Sequence, residues 1–301
     1  MTAAAAVHDV TMWFRGHTAL DSVSTAFEAD AITGLLGRNG AGKTTLMQLL
    51  TGHRLPTRGR VEVFGATPYE DDAVLARVCF VKEGQRYPDQ FRVRDALGAA
   101  ATVFPGWDAD LAADLVRDFD LPLRRPVKKL SRGMVSAVGI VIGLASRAPL
   151  TLFDEPYLGL DAVARRLFYD RLLADYAAHP RTVIVSTHLI EEVGDLLERV
   201  VLLDTGRVAL DADAESLRTS AVTVTGPTAE VQAFARRHEL LHLESLGGHS
   251  RAVVRSRADD VPAGLAVEPT SLQQLVVALS LRGHTVPAPA AAPDDLEEVP
   301  R

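Results

Sequence analysis

The sequence predicts an α/β protein whose sheet carries a phosphate-binding loop, followed by a small α+β accessory unit. Three observations carry this expectation. The first 217 of the 301 residues alternate strand-like and helix-like segments, as an α/β sheet protein requires. Within them, Gly37-Arg38-Asn39-Gly40-Ala41-Gly42-Lys43-Thr44 fits G-x-x-x-x-G-K-[ST] without a mismatch. After Leu217 the chain turns to short β-rich and helical pieces that read as a unit of their own.

Taken in order, residues 31–36 read as a buried strand and 45–50 as the first turns of a helix, with the glycine-rich loop between them. Bound phosphates would then lie at a helix N-terminus, where the dipole favours negative charge. Gly37, Gly40 and Gly42 let backbone N–H groups turn toward an anion, and with Asn39, Lys43, Thr44 and Thr45 they form the candidate phosphate-binding set. Lys43 supplies a point charge for the β- and γ-phosphates, and the Thr44 hydroxyl is a candidate Mg²⁺ ligand. Further strands are expected at 61–64, 78–81, 150–153, 182–186 and 200–204. Between the second and third of these lie three helical stretches, 94–103, 108–119 and 134–145, with no strand signal among them; they read as a helical subdomain spanning about residues 84–148. In the C-terminal part, 222–225 is β-rich, 229–243 has helical spacing, 251–255 is strand-like, and 270–281 reads as a helix with apolar residues at Leu272, Leu275, Val276 and Leu279, giving a βαβα unit over 218–284. Residues 285–301 are Pro, Ala and acidic, a composition that cannot bury a core and is read as disordered.

Composition narrows the function. The chain is 47% hydrophobic and 24% charged, ordinary for a globular protein. A net charge of −7 argues against nucleic acid as the main partner. The one cysteine, Cys79, sits in the apolar run 78–81 and reads as a buried small residue rather than a reactive thiol. The N-terminal segment has no secretory pattern, and the longest apolar stretch, 135–145, is too short to span a bilayer.

A phosphate-binding loop that supports hydrolysis needs carboxylates at a second strand end. Leu150-Thr151-Leu152-Phe153-Asp154-Glu155 supplies them: Asp154 to hold Mg²⁺ through water, Glu155 as the general base for the attacking water. Alone, such a run marks only a strand meeting solvent; it gains weight from the loop before it and Pro156 after it.

Three more motifs complete a pattern. Leu130-Ser131-Arg132-Gly133-Met134 precedes the acidic strand, Leu158-Gly159-Leu160-Asp161 follows it, and Ser186-Thr187-His188 ends the next apolar strand. In this order and spacing the set, over about residues 7–217, resembles the ATP-binding subunit of ABC transporters; the compact single nucleotide domain with a short C-terminal extension looks most like the exporter-like (ABC-2 type) subclass. The resemblance implies a P-loop NTPase fold with an ABC-type helical subdomain, and an ATPase that uses ATP and Mg²⁺. It implies that two subunits, identical or related, pair head to tail, with Ser131 and Gly133 of the signature and Asp161 of the D-loop completing the partner's ATP site. His188 corresponds to the switch histidine that holds Glu155 and water near the γ-phosphate. Phe14 aligns with the aromatic that stacks on adenine, with Trp13 as its rival. The expected partner is a separate transmembrane permease, which would place the subunit in the cytoplasm against the inner face of the membrane.

Two positions depart from the family pattern. Met134 stands where Gln is usual, and in Phe80-Val81-Lys82-Glu83-Gly84-Gln85 the Q-loop glutamine position falls on Glu83 by register, or on Gln85 with a slip of two residues. Glu83 could still ligand Mg²⁺, at the cost of negative charge near the γ-phosphate. His238 and His242, four apart on an expected helix with His249 nearby, are a Zn²⁺ possibility, but solvated histidines are favoured because no clear fourth ligand accompanies them. Two other functions compete with the transport ATPase. A soluble ABC ATPase acting on ribosomes or DNA is disfavoured by the acidic charge and the single nucleotide domain. A low-turnover nucleotide-sensing protein is favoured only by Glu83.

Overall fold

A computed structural model describes residues 2–282; the expected disordered tail at 285–301 lies outside them. The chain divides into two compact units, the first running to Ser220 with Ser271–Gln273, the second comprising Ala221–Thr270 and the residues from Gln274 on.

The first unit contains β1 (Ala3–Phe14), β2 (His17–Glu28), β3 (Ile32–Leu36), α1 (Lys43–Leu50), β4 (Arg58–Val63), α2 (Asp72–Leu75), β5 (Val78–Val81), α3 (Val93–Val103), α4 (Ala109–Asp118), α5 (Arg132–Ala145), β6 (Leu150–Asp154), α6 (Ala162–Ala178), β7 (Thr182–Thr187), α7 (Ile190–Val193), β8 (Arg199–Asp204), β9 (Arg207–Asp213) and α8 (Ala214–Thr219). Its main sheet has the order β5-β6-β7-β3-β8-β9. The first five strands are parallel and β9 pairs antiparallel with β8. Every residue of β3, β6 and β7 is buried, which is why these strands read as continuous apolar runs rather than alternating ones. A second, antiparallel sheet, β2-β1-β4, packs its apolar face with α1 and the main sheet around Val10, Leu20, Phe27, Leu35, Leu46, Met47, Leu152 and Ile184. Between β5 and β6 the chain is helical (α3, α4, α5).

The expected strands of the main sheet are present, extended by a residue at Asp154, Thr187 and Arg199. The long β1–β2 hairpin was not expected. Ala3 to Ala6 has little intrinsic strand preference, and the β1–β2 ladder shifts register four times, which erases a period-two pattern. Pairing on both edges of β1 and burial of Ala4, Ala5 and Ala6 override the local preference.

A buried charge cluster ties the end of α6 to the start of β7. Arg181 Nη1 lies 2.6 Å from Asp175 Oδ2, and Arg147 Nη2 lies 3.3 Å from Asp175 Oδ1. Arg181 and Asp175 are both buried. Asp175→Ala leaves the Arg181 guanidinium buried without its partner, so the variant should lose about 3–5 kcal/mol of stability, read from the urea midpoint of the first unit. Cys79 is buried in β5, and burial pushes its thiol pKa up to about 11, away from thiolate reactivity.

The second unit contains β10 (Val222–Pro227), α9 (Thr228–Ala235), β11 (Glu239–Leu246), β12 (His249–Arg255), β13 (Ala266–Pro269) and most of α10 (Leu272–Arg282). Its sheet is antiparallel, in the order β11-β12-β10-β13. Here the expected βαβα succession needs correction. The helix expected to reach residue 243 ends at Ala235, and Glu239–Leu246 is a strand. A bulge between Leu240 and His242 breaks the alternation of β11, leaving Leu240, Leu241 and Leu243 at a spacing that mimics a helix. His238 and His242 therefore do not share a helix face. The His238 ring stacks on Phe234, with centroids 4.2 Å apart, and Nδ1 lies 3.0 Å from the Phe234 carbonyl. His242 Nε2 lies 3.0 Å from Glu244. Among the described residues no three His, Cys, Asp or Glu side chains group as a metal site. Nor is any described helix long and apolar enough to cross a membrane.

Candidate functional site

The site forms where the C-terminal ends of β3, β6 and β7 meet, the usual place for a ligand in an open parallel sheet. β3 leads into the loop at Gly37, whose φ is +146° and where an added Cβ would lie 2.4 Å from the Leu203 carbonyl oxygen. Glycine is required there by both conformation and space. The loop ends at Gly42, the residue just before α1, and no side chain caps that helix terminus. Its open N–H groups are what an anion would use. A cleft of about 350 Å³ lies over this terminus and is lined by Phe14, His17, Ala19, residues 38–45, Glu83 and Glu155.

The two sequence motifs converge here. The Thr44 hydroxyl donates to Asp154 Oδ2 at 2.7 Å, across a sequence separation of 110 residues. Asp154 Oδ1 accepts from the Ser186 hydroxyl at 2.7 Å, and Ser186 Oγ in turn accepts the Glu155 N–H at 3.0 Å. A hydroxyl and a carboxylate so close are hard oxygen donors of the kind Mg²⁺ takes.

Lys43 Nζ donates to the Gly37 carbonyl at 2.7 Å and lies 3.2 Å from Glu155 Oε1; both side chains are buried. Glu155 Oε1 has no aligned hydrogen bond, so charge rather than donor geometry holds this pair. The other carboxylate oxygen, Oε2, lies 2.9 Å from His188 Nδ1 and accepts from the Tyr157 hydroxyl. Glu155 adopts φ +48°, a left-handed conformation that costs a non-glycine residue energy and is found chiefly where the surroundings impose it.

The remaining expected residues fall in two places. Phe14 lines the cleft, with the Arg54 guanidinium 4.9 Å from its ring centroid, whereas Trp13 is 54% exposed and does not line it. Glu83 lines it and Gln85 does not; Glu83 Oε1 accepts from Arg132 Nη2 at 2.9 Å. Ser131, Gly133 and Asp161 do not line the cleft of their own chain. The Ser131 hydroxyl caps α5 by accepting the Met134 N–H at 3.2 Å, and Asp161 caps α6 by accepting the Ala164 N–H at 2.8 Å. Gly133 has a packing reason of its own, since a Cβ there would stand 2.3 Å from the Gly159 carbonyl oxygen.

His17, Ala19, Tyr157 and Ser186 also belong to this neighbourhood and were not singled out from the sequence. Tyr157 carries no motif. Ser186 stood inside the Ser-Thr-His run, but its hydrogen bonds to Asp154 and Glu155 span about thirty residues and leave no local pattern.

Comparison with known proteins agrees with this geometry. The ABC transporter family matches residues 20–158. The chain is 30% identical over 246 residues to the aliphatic sulfonates import ATP-binding protein SsuB 1 of Nocardia farcinica, an alignment covering 81% of this chain and 93% of that protein. It is 25% identical over 203 residues to the ABC transporter ATP-binding protein YtrB of Bacillus subtilis, covering 67% of this chain and 70% of that protein. Among solved structures it is similar in fold to an ATP-binding subunit of an ABC transporter, with a TM-score of 0.64 at 24% identity, covering 72% of this chain and 92% of the other. With the phosphate loop, the acidic strand end and the histidine gathered at one sheet end, the chain belongs to the ABC transporter family, as an ATP-binding and ATP-hydrolysing subunit that powers a membrane permease.

Proposed function

We propose how this chain's residues carry out that activity. The phosphates of ATP lie over α1, held by the backbone of Gly37, Asn39, Gly40 and Gly42, by Lys43, and by Thr44 and Thr45, while Phe14 stacks on the adenine. Thr44 and Asp154 would hold Mg²⁺, with Glu83 as a further candidate ligand. When bound, Mg²⁺ neutralises charge on the phosphates. Glu155 is the general base for the attacking water, and His188 keeps it oriented. Two copies, or one copy and a related subunit, pair head to tail, so that Ser131, Gly133 and Asp161 of one complete the ATP site of the other. The observation that carries this reading is the 2.7 Å contact between Thr44 and Asp154 beside the Lys43–Glu155 pair, which joins a phosphate site to a candidate base. Calorimetric titration of ATP with Mg²⁺ and with EDTA tests the cation site: affinity should fall in EDTA, and further loss on Asp154→Ala should be confined to the Mg²⁺ series.

The reading extends to organisation. Residues 1–217 form the ATP-binding domain with its helical subdomain at about 84–148, and 218–284 an accessory domain. The subunit sits in the cytoplasm, peripheral to the membrane through its permease. An exporter-type role is part of this reading: a relative 31% identical is named for Nod factor export, and another 30% identical is named for import. Reconstitution with the membrane protein encoded next to it, followed by the direction of ATP-dependent flux, decides this point.

Glu83 is the most unusual residue of the site. Its carboxylate faces the cleft and is partly neutralised by Arg132. The pair is half-exposed and worth at most about 1 kcal/mol, so it does not cancel the repulsion a γ-phosphate would feel. Glu83→Gln should raise the ATPase rate or tighten ATP binding by about two- to fivefold, the equivalent of about 0.5–1 kcal/mol. Gln85→Ala should change little. The opposite pattern in a steady-state assay would place the Q-loop two residues later.

A further inference from the structure

We propose that Tyr157 is a positioning residue for hydrolysis: its hydroxyl holds the Glu155 carboxylate against His188 and so fixes the direction in which the base faces. This rests on Glu155 serving as the base, as set out above.

The argument begins with the valence of one oxygen. A phenol has one proton to donate and two lone pairs that accept. In Tyr157 the lone pairs accept the Thr187 hydroxyl at 3.1 Å and the His188 backbone N–H at 3.1 Å. The proton is left for Glu155 Oε2, with His188 Nδ1 at 3.0 Å completing a triangle of Tyr157, Glu155 and His188. Every bonding direction of the hydroxyl is used, so it cannot rotate without breaking a contact. The ring is as fixed as the hydroxyl. It is 2% exposed, and it stands edge-on to the His188 imidazole with centroids 5.6 Å apart. Burial and the adjacent Glu155 carboxylate push the phenol pKa up, so the proton stays on the oxygen and the group remains a donor.

A buried tyrosine needs a partner for its O–H whatever its role, and a main-chain carbonyl would serve. Here the one proton goes instead to the carboxylate that pairs with the loop lysine, on a residue held in a left-handed conformation. Glu155 is gripped at both oxygens: Lys43 on Oε1, Tyr157 and His188 on Oε2. Phosphates that draw Lys43 away release only the first grip. The second survives nucleotide binding and keeps the carboxylate beside the histidine rather than free to rotate. Tyr157 does not line the ATP cleft, so it acts through Glu155 and not on the nucleotide.

The test is Tyr157→Phe, which keeps the ring and removes one oxygen, assayed alone and with Glu155→Gln. Loss of a hydrogen bond to a charged group predicts kcat about 10–100-fold lower, with the calorimetric Kd for ATP unchanged. Added to Glu155→Gln, the same change should cost nothing further, because there is no longer a base to aim. A normal kcat in Tyr157→Phe overturns the proposal, as does an equal loss in both backgrounds or a parallel loss of ATP affinity. If Tyr157→Phe melts too low to assay, Thr187→Val, which frees one lone pair of the same hydroxyl, takes its place with the same deciding outcomes and a smaller drop. Normal turnover in Glu155→Gln alone would instead remove the base assignment itself, whereas normal turnover in Tyr157→Phe beside a crippled Glu155→Gln removes only Tyr157.

Discussion

Lys43→Ala should abolish tight ATP binding, the largest effect expected of any single substitution in this chain. Lys43 is the buried cation at the mouth of α1, where Arg38 is exposed, and its ammonium is already braced by the Gly37 carbonyl, so little order remains to be lost when phosphate arrives. Removing it leaves the exposed Arg38, the backbone N–H groups and the helix dipole, the last worth only about 0.3–1 kcal/mol at such a terminus. It also leaves Glu155 buried beside the incoming phosphates with no counter-charge, so repulsion adds to the loss. Calorimetry with Mg²⁺ and ATP reads the result directly. An unchanged dissociation constant would contradict the phosphate site.

Glu155→Gln should leave ATP binding intact and slow hydrolysis by about 10²–10⁴-fold, the range for loss of a general base. The amide keeps the shape of the side chain but cannot take a proton from water. It also releases Lys43 from its ion pair, so ATP affinity should hold or rise. With hydrolysis stalled, the head-to-tail dimer should accumulate on ATP and appear at twice the subunit mass in size exclusion. Normal turnover, or a monomer at high concentration with ATP, would count against the base and the pairing.

The parts of this molecule that could be read from its sequence are those where one residue type alone meets the need. Gly37 is required by its positive φ and by the Leu203 carbonyl, and Lys43 and Thr44 are required by charge and oxygen chemistry; such positions leave a local signature. The central strands are legible for a similar reason, since burial on both faces forces unbroken apolar runs. What escaped was set by pairing at a distance. The alanines of β1 become a strand only because β2 and β4 flank them, and β11 hides its alternation behind a bulge. The Tyr157 triangle and the Glu83–Arg132 pair join residues 31 and 49 positions apart, so neither leaves a spacing to find. Gly133 was expected from the signature motif, but its packing against Gly159 became visible only with both turns in place.

The Lys43–Glu155 pair bears on which anions this subunit notices. The lysine is paired with a buried carboxylate, and any anion that uses it competes with that carboxylate. The apparent affinity is then the intrinsic one scaled by the fraction of molecules in which the lysine stands free; a pair worth about 1.4 kcal/mol makes that a tenfold handicap. A ligand that gains an aromatic stack, a cation shell and several backbone N–H bonds at once absorbs such a handicap. A lone inorganic phosphate, with little beyond the lysine to gain, does not. Inorganic phosphate should therefore compete poorly with ATP for the loop, as calorimetric competition would read.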